Sequence, residues 1–337
     1  MTTVTIRDVA RRAGVGIATV SRVLNNSPSV RESTRRKVLE AIEELNYSPN
    51  QAARRLSRGK TMSIGVIVPY FTNPSVVKRL QGIVSVINSS PYDLVLFDIE
   101  KVTRRDVFLR NVPRQKMVDG LLIISLTPTD EEAEQFLASG IPVVLIDAFH
   151  PRMNRVIVDN VAGGYKATKY LIELGHQKIA YVSDFLADPF NTPVRDRFEG
   201  YKKALQEAGL IFRPEYHLQD KHGRLPAYKM GKQLLRMPDP PTAVFAYSDT
   251  QAIGIIEAAT ENGLSVPGDL SVIGFDDIES AEYLHLTTVH QSLFESGVEG
   301  SKLLLTQMQN PDAIPTNPIE IKLPTELVIR KTTAPPA

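Results

Sequence analysis

Apolar positions change period along this chain, and the change divides it. Near the start, Ile6, Val9, Ala10 and Ala13 recur at helical spacing, Gly14-Val15-Gly16 interrupts them, and Val20, Val23 and Leu24 form a second stripe. This pattern predicts two short helices joined by a tight turn, since glycine tolerates the positive φ such a turn needs. The second stripe leaves Ile17, Ala18, Thr19, Ser21, Arg22 and Asn25 facing outward. Val38, Ile42 and Leu45 predict a third helix over 32–45. Three short helices around one apolar centre make a small domain. The short, polar and basic outer face of its second helix suits a DNA major groove, where small side chains allow close approach and arginine can read guanine. The same pattern describes a helical hairpin with a solvated face.

From Thr61 the period shifts. Short runs rich in β-branched residues alternate with longer amphipathic stretches. Strands are expected over 63–68, 93–97, 120–124, 143–146, 155–158, 178–182, 243–247 and 271–275. Helices are expected over 75–88, 106–115, 130–139, 161–174, 195–208, 225–236, 250–262 and 293–309. Strand–helix alternation with continuous apolar strands reads as α/β with parallel sheets, and two sets of such units suggest two lobes.

Charge sharpens this division. The chain of 337 residues has a net charge of +1, yet residues 1–60 carry 12 Lys+Arg against 5 Asp+Glu, a net of +7. The remainder is acidic. A basic head on an acidic body points to a polyanionic partner for the head alone. Composition is ordinary for a soluble globular protein, at 42% hydrophobic and 23% charged residues. There are no cysteines, which excludes disulfides and thiolate metal sites and fits the cytosol. The polar N-terminus does not read as a secretory signal, and no apolar run approaches a membrane span, so no membrane partner is expected. Enzyme motifs are missing as well. The sequence has no Walker-type phosphate loop, no His-Glu-x-x-His and no Gly-x-Ser-x-Gly, and its six histidines lack metal-ligand spacing.

Several elements in one ungapped register carry a specific resemblance. They are Asp8-Val9-Ala10, Ala13-Gly14-Val15, the run Ala18 to Asn25, Thr34-Arg35, and Tyr47-Ser48-Pro49-Asn50 with Ala52-Ala53 and Leu56. The segment resembles the headpiece and hinge of the lactose-repressor (LacI/GalR) family of bacterial transcription factors. The body resembles that family's effector-binding core, a fold shared with periplasmic sugar-binding proteins. Its landmarks include Val118-Asp119-Gly120, Val158-Asp159-Asn160, Leu174-Gly175-His176, Arg197 with Gly200-Tyr201, and Gly274-Phe275-Asp276.

This resemblance implies a helix-turn-helix headpiece over 1–46 and a hinge helix over 47–60. It implies a two-lobe core over 61–330, with an N-lobe of 61–159 and 291–321 and a C-lobe of 160–289 and 322–330. A flexible tail is expected over 331–337. DNA contacts are implied for Thr5, Ile17, Ala18, Thr19, Ser21, Arg22, Asn25, Thr34, Asn50, Ala53 and Leu56. A nine-residue hinge helix is marginal alone. It is expected to form against its dimer mate on DNA, with Ala53 permitting close approach and Leu56 wedging into the minor groove.

Effector contacts are implied for Arg197 and Asp276, and for Asp147, His222, Ser248 and Gln291 at matching positions. Asn73-Pro74-Ser75-Val76 stands where many members carry aromatic residues after Asn-Pro. Asn73 and Ser75 remain in the candidate set, and Phe71, Phe149 and Phe190 can supply the missing aromatic face. Gly16 replaces a usual phosphate-contacting serine. The reading is a homodimeric repressor of a near-palindromic operator in double-stranded DNA, needing no cofactor or metal and responding to a sugar-like small-molecule effector. Its rivals are a regulator controlled by a protein partner and a solute-binding receptor.

Overall fold

The computed structural model describes residues 4–25, 27–47, 60–99, 102–115, 117–187, 192–310 and 317–337. The chain forms two compact units, Met1–Thr61 and Met62–Ala337.

In the first unit, α1 (Ile6–Ala13), α2 (Ile17–Leu24) and α3 (Glu32–Glu44) enclose a small core. Val9, Ala10, Val20, Val23, Val38 and Ala41 are buried there. Ile6, Ala13, Leu24, Ile42 and Leu45 pack around them, so the apolar stripes read from the sequence do meet. The Asp8 carboxylate accepts from the Thr5 N–H at 3.0 Å and the Thr5 hydroxyl at 2.7 Å, tying down the first turn of α1. Gly14 ends α1 at φ +66°, a left-handed position that disfavours a side chain. The expected hinge residues Asn50, Ala53 and Leu56 lie outside the described residues.

The second unit alternates strands and helices. In chain order it runs β1 (Ser63–Val68), α4 (Pro74–Ile87), β2 (Asp93–Asp98), α5 (Val102–Gln115), β3 (Gly120–Ile124), α6 (Asp130–Ser139), β4 (Val143–Ile146) and β5 (Asn154–Val158). Next come α7 (Asn160–Glu173), β6 (Ile179–Ser183), α8 (Thr192–Glu207), β7 (His217–Gln219), α9 (Arg224–Leu235), β8 (Ala243–Ala246), α10 (Asp249–Glu261), β9 (Ser271–Ile273) and α11 (Glu279–Tyr283). The chain ends with β10 (Thr288–His290), α12 (Leu293–Gln309), β11 (Glu320–Leu323) and β12 (Glu326–Val328).

Six parallel strands in the order β11-β5-β4-β3-β1-β2 build one lobe. Four parallel strands in the order β7-β6-β8-β9 build the other, and β10 pairs antiparallel with β12. Each sheet is sandwiched between two apolar clusters, which explains why its central strands read as unbroken hydrophobic runs. Helices α4 and α12 pack so tightly that a Cβ on Gly82 would lie 2.1 Å from the Phe294 carbonyl oxygen, and one on Gly297 would lie 2.1 Å from that of Arg79. That approach fixes where Arg79 stands.

Two expectations need correction. The N-lobe is expected to end at Ile321, with the C-lobe resuming at Lys322. Lys322 and Leu323 instead pair with Ile157 and Val158 in the six-stranded sheet, so the last passage between lobes falls at Pro324 and Thr325. Continuous backbone pairing, not composition, decides this. The tail over 331–337, expected to be flexible, is docked. The Val272 N–H donates to the Thr332 carbonyl at 2.7 Å, and the Thr332 hydroxyl donates back to the Val272 carbonyl at 2.7 Å. His176 Nε2 and the Ser271 hydroxyl both reach the Ala334 carbonyl at 2.9 Å. The tail thereby satisfies backbone groups along the outer side of β9, an otherwise open sheet edge.

Candidate functional site

The headpiece site is the outer face of α2. Val20 and Val23 point into the core, which leaves Ile17, Ala18 and Arg22 exposed and Thr19, Ser21 and Asn25 half-buried. Ile17 keeps 45% of its surface in contact with solvent. Among the described residues Arg22 has no ion-pair partner. Gly16 caps α2 without a side-chain bond, as a glycine must. The Thr5 hydroxyl is engaged by Asp8, and Thr34 is half-buried at the start of α3. The face therefore offers two apolar side chains and one guanidinium on a rigid helix.

The second site is a cavity of about 510 Å³ between the two lobes. It collects residues at the carboxyl ends of strands, where ligands bind in α/β folds. Tyr70 follows β1, Ser125 follows β3, Asp147 follows β4 and Asp276 follows β9. All four have positive φ (52°, 50°, 55° and 121°), a conformation that non-glycine residues hold only where surrounding structure enforces it.

A ring of buried polar side chains joins the lobes here. Arg79 Nη2 donates to Asp147 Oδ2 at 2.8 Å and to Gln291 Oε1 at 3.0 Å. Gln291 Nε2 donates to Asp276 Oδ1, which also receives Arg197 Nη1 at 3.5 Å. Arg197 Nε donates to Asn160 Oδ1 at 2.9 Å, and Asn160 Nδ2 returns to Asp147 Oδ1 at 3.2 Å. Ser125 adds a bond to Asp147 at 3.1 Å. The Arg197 guanidinium lies 3.6 Å from the Phe275 ring centre and 4.5 Å from that of Tyr247, and it donates to the Tyr247 carbonyl at 2.7 Å.

Burial pushes the Asp276 carboxyl above its ordinary range, against the pull of Arg197 and Arg79. His222 Nδ1 lies 3.2 Å from Asp184 Oδ1. Burial opposes charge on this imidazole, but the Asp184 bond outweighs it and raises the pKa. Ser248 caps α10 by accepting from the Gln251 N–H at 3.3 Å.

Asn73, Ser75, Asp147, Arg197, His222, Ser248, Asp276 and Gln291 all line this cavity, as the sequence suggested they could. Phe71 does not; it is an exposed neighbour of Tyr70, which does. Phe149 lines a different cavity, and Phe190 lies outside the described residues. Arg79, Asp184 and Tyr247 also line the cavity, and the sequence pattern does not single them out. Arg79 leaves a signal all the same, a single charge inside the apolar stripe of Val76, Leu80, Ile83 and Ile87 on α4.

Residues 5–50 match the family described as bacterial regulatory proteins, lacI family, and residues 168–333 match a periplasmic binding protein-like domain. Catabolite control protein A of Priestia megaterium is 35% identical over 334 residues, covering 98% of this chain and 99% of that protein. The lac repressor dimer bound to operator and the anti-inducer ONPF superimposes with a TM-score of 0.84 at 30% identity, over 99% of this chain and 100% of that one. A LacI family transcriptional regulator from Enterococcus faecium with bound ribose gives a TM-score of 0.72 at 32% identity, over 81% of this chain and 99% of its own.

Proposed function

The chain belongs to the lacI family of bacterial regulatory proteins, and on that premise we propose a repressor whose operator binding is set by a sugar-like molecule in the interlobe cavity. The observation that carries this reading is the ring of Arg79, Asp147, Asn160, Arg197, Asp276 and Gln291 around that cavity. It joins both lobes to two passages of chain between them, so a ligand that takes over one member's bonds changes how the lobes are held.

Its chemistry suits a polyhydroxylated ligand. Asp276 can accept from hydroxyls, Arg197 can donate to ring or hydroxyl oxygens, and Tyr70 and Tyr247 offer apolar faces. The ribose held by the Enterococcus faecium regulator supports that class, and the ONPF held by the lac repressor supports a small organic ligand. The lac repressor's dimeric state on its operator supports a two-fold dimer here, with one α2 in each half-site. Among the described residues no helix is long and apolar enough to cross a membrane.

The test is a thermal-shift screen of pentoses, hexoses and nucleosides against the full chain, followed by operator gel shifts with any hit. Arg197→Lys keeps the charge while losing the planar fork, and Asp276→Asn keeps the shape while losing the negative charge and one of two acceptor oxygens. Each is expected to weaken the hit by about 1–3 kcal/mol. A hit that binds both variants as tightly as the parent protein would place the effector elsewhere.

A further inference from the structure

A second cavity, of about 410 Å³, lies between the lobes and shares only Asp147 and Pro193 with the first. Most of its wall is apolar, from Ala148, Phe149, Ile157, Val158, Val161 and Pro193. Four charged side chains border it, and three are already matched. Asp147 accepts from Arg79, Ser125 and Asn160. Asp159 holds Lys322 at 2.6 Å and accepts the Ala162 N–H at 2.9 Å. Asp196 is different. It is half-buried on α8 and has no hydrogen-bond or ion-pair partner among the described residues. The nearby Arg155, 4.4 Å from the Phe149 ring centre, is neutralised by Glu320 at 2.6 Å.

We propose that this second cavity is a binding site for a small organic cation, a primary ammonium on an apolar body, with Asp196 as its counter-ion. An apolar chamber with one unmatched carboxylate is complementary to that class. A neutral apolar molecule would leave the carboxylate unpaired, and an anion would add repulsion from a wall whose uncompensated charge is negative. Burial already pushes the Asp196 carboxyl upward, and the charges of Asp147 and Asp159 push the same way, outweighing the pull of Arg197 and Arg195. A bound cation relieves that penalty. The two cavities share Asp147 and Pro193, and Asn160 of the ring also lines the second, but Asp196 takes no part in that ring and lines only the second cavity.

The sequence contains no tryptophan, so Phe149→Trp places the chain's one tryptophan in the wall. Benzylamine, titrated into the full-length variant at neutral pH, is expected to change its fluorescence saturably. Benzyl alcohol should bind at least tenfold more weakly and phenylacetate not at all. Asp196→Asn should weaken benzylamine at least tenfold while leaving benzyl alcohol unchanged. Saturation-transfer NMR of benzylamine with the unsubstituted protein and with Asp196→Asn gives the same comparison without the tryptophan. Ser248→Ala, in the first cavity, should change neither titration, whether or not that cavity takes a sugar. Equal binding of amine and alcohol, indifference to Asp196→Asn, or no saturable benzylamine signal in either assay would overturn the proposal.

Discussion

The headpiece and the interlobe cavity both present arginines, and they hold them in opposite ways. Arg22 stands on the open face of α2 with no ion-pair partner among the described residues. Arg79 and Arg197 are each only 2% exposed and are bound to carboxylates, amides and a backbone carbonyl. An exposed, unpaired arginine contributes little to folding and is free for a partner. A buried one is part of the fold, and removing its counter-ion leaves a charge in a poorly solvated place. The two recognition surfaces should therefore fail differently under mutation, one by function alone and the other by function and stability together.

The harshest test of that contrast is Asp147→Ala. It strands the Arg79 guanidinium and the bonds from Ser125 and Asn160. A loss of about 3–5 kcal/mol is expected in denaturant unfolding of the full chain. Replacing both members by Arg79→Leu with Asp147→Leu should recover part of this, because no buried charge is then left alone. A single variant as stable as the parent would mean that Arg79 is solvated in solution and that the cavity is more open than its geometry indicates.

Next in size is Val20→Ala in the small headpiece core. Val20 is fully buried between α1 and α3, and its truncation should cost the headpiece about 2 kcal/mol. Because Met1–Thr61 and Met62–Ala337 are separate compact units, calorimetry should show the headpiece transition falling while the core transition stays. Movement of both would mean that the units fold as one.

Smaller in energy but sharper in meaning is Arg22→Ala. It should weaken binding to the true operator by about 1–3 kcal/mol, weaken random DNA much less, and leave melting unchanged. Equal losses on both DNAs would make Arg22 an electrostatic anchor only.

The same contrast explains which parts of the molecule are legible in its amino-acid sequence. The headpiece is legible because its faces segregate by a 3.6-residue period, and Val9, Val20, Val23 and Val38 can be assigned inward with no long-range information. Strands β1, β3 and β4 are legible because burial on both faces leaves continuous apolar runs. Strands β7, β11 and β12 are not. His217-Leu218-Gln219 and Glu320-Ile321-Lys322-Leu323 are short or alternating edge segments whose pairing depends on partners far away in sequence. The docked tail is hidden for the same reason, since Thr332 and Ala334 are held by Val272, Ser271 and His176. In the cavity, Asp147, Arg197 and Asp276 come from resemblance to a family. Arg79 does not, because a lone arginine in an apolar helix stripe is explained only by the carboxylate across from it.

The smallest expected effect concerns pH, and its sign separates the histidines. Burial, helped by the nearby Lys202, pushes the His217 imidazole down to about 4. Its ring stacks 4.3 Å from Phe198, and its Nε2 lies 3.0 Å from the Ser183 hydroxyl. The unfolded chain, with an ordinary pKa near 6.5, therefore binds a proton that the folded protein refuses. Stability contributed by neutral His217 is complete above about 6.5 and falls as pH drops from there to about 4. His176, lowered by burial, acts in the same direction. His222 and His290 act oppositely. Carboxylate partners raise both, so their contribution is complete below the unfolded value and is lost as pH rises through the folded one. The windows lie on opposite sides of about 6.5, and a difference measurement can isolate one histidine. His217→Gln removes the titration while keeping a polar side chain near Ser183. Urea unfolding of parent and variant at about pH 7 and about pH 5 should show the parent losing on the order of 1 kcal/mol more than the variant, a figure discounted for partial exposure of the ring. Identical pH slopes would mean that His217 titrates normally in the folded protein and that its stack on Phe198 opens in solution.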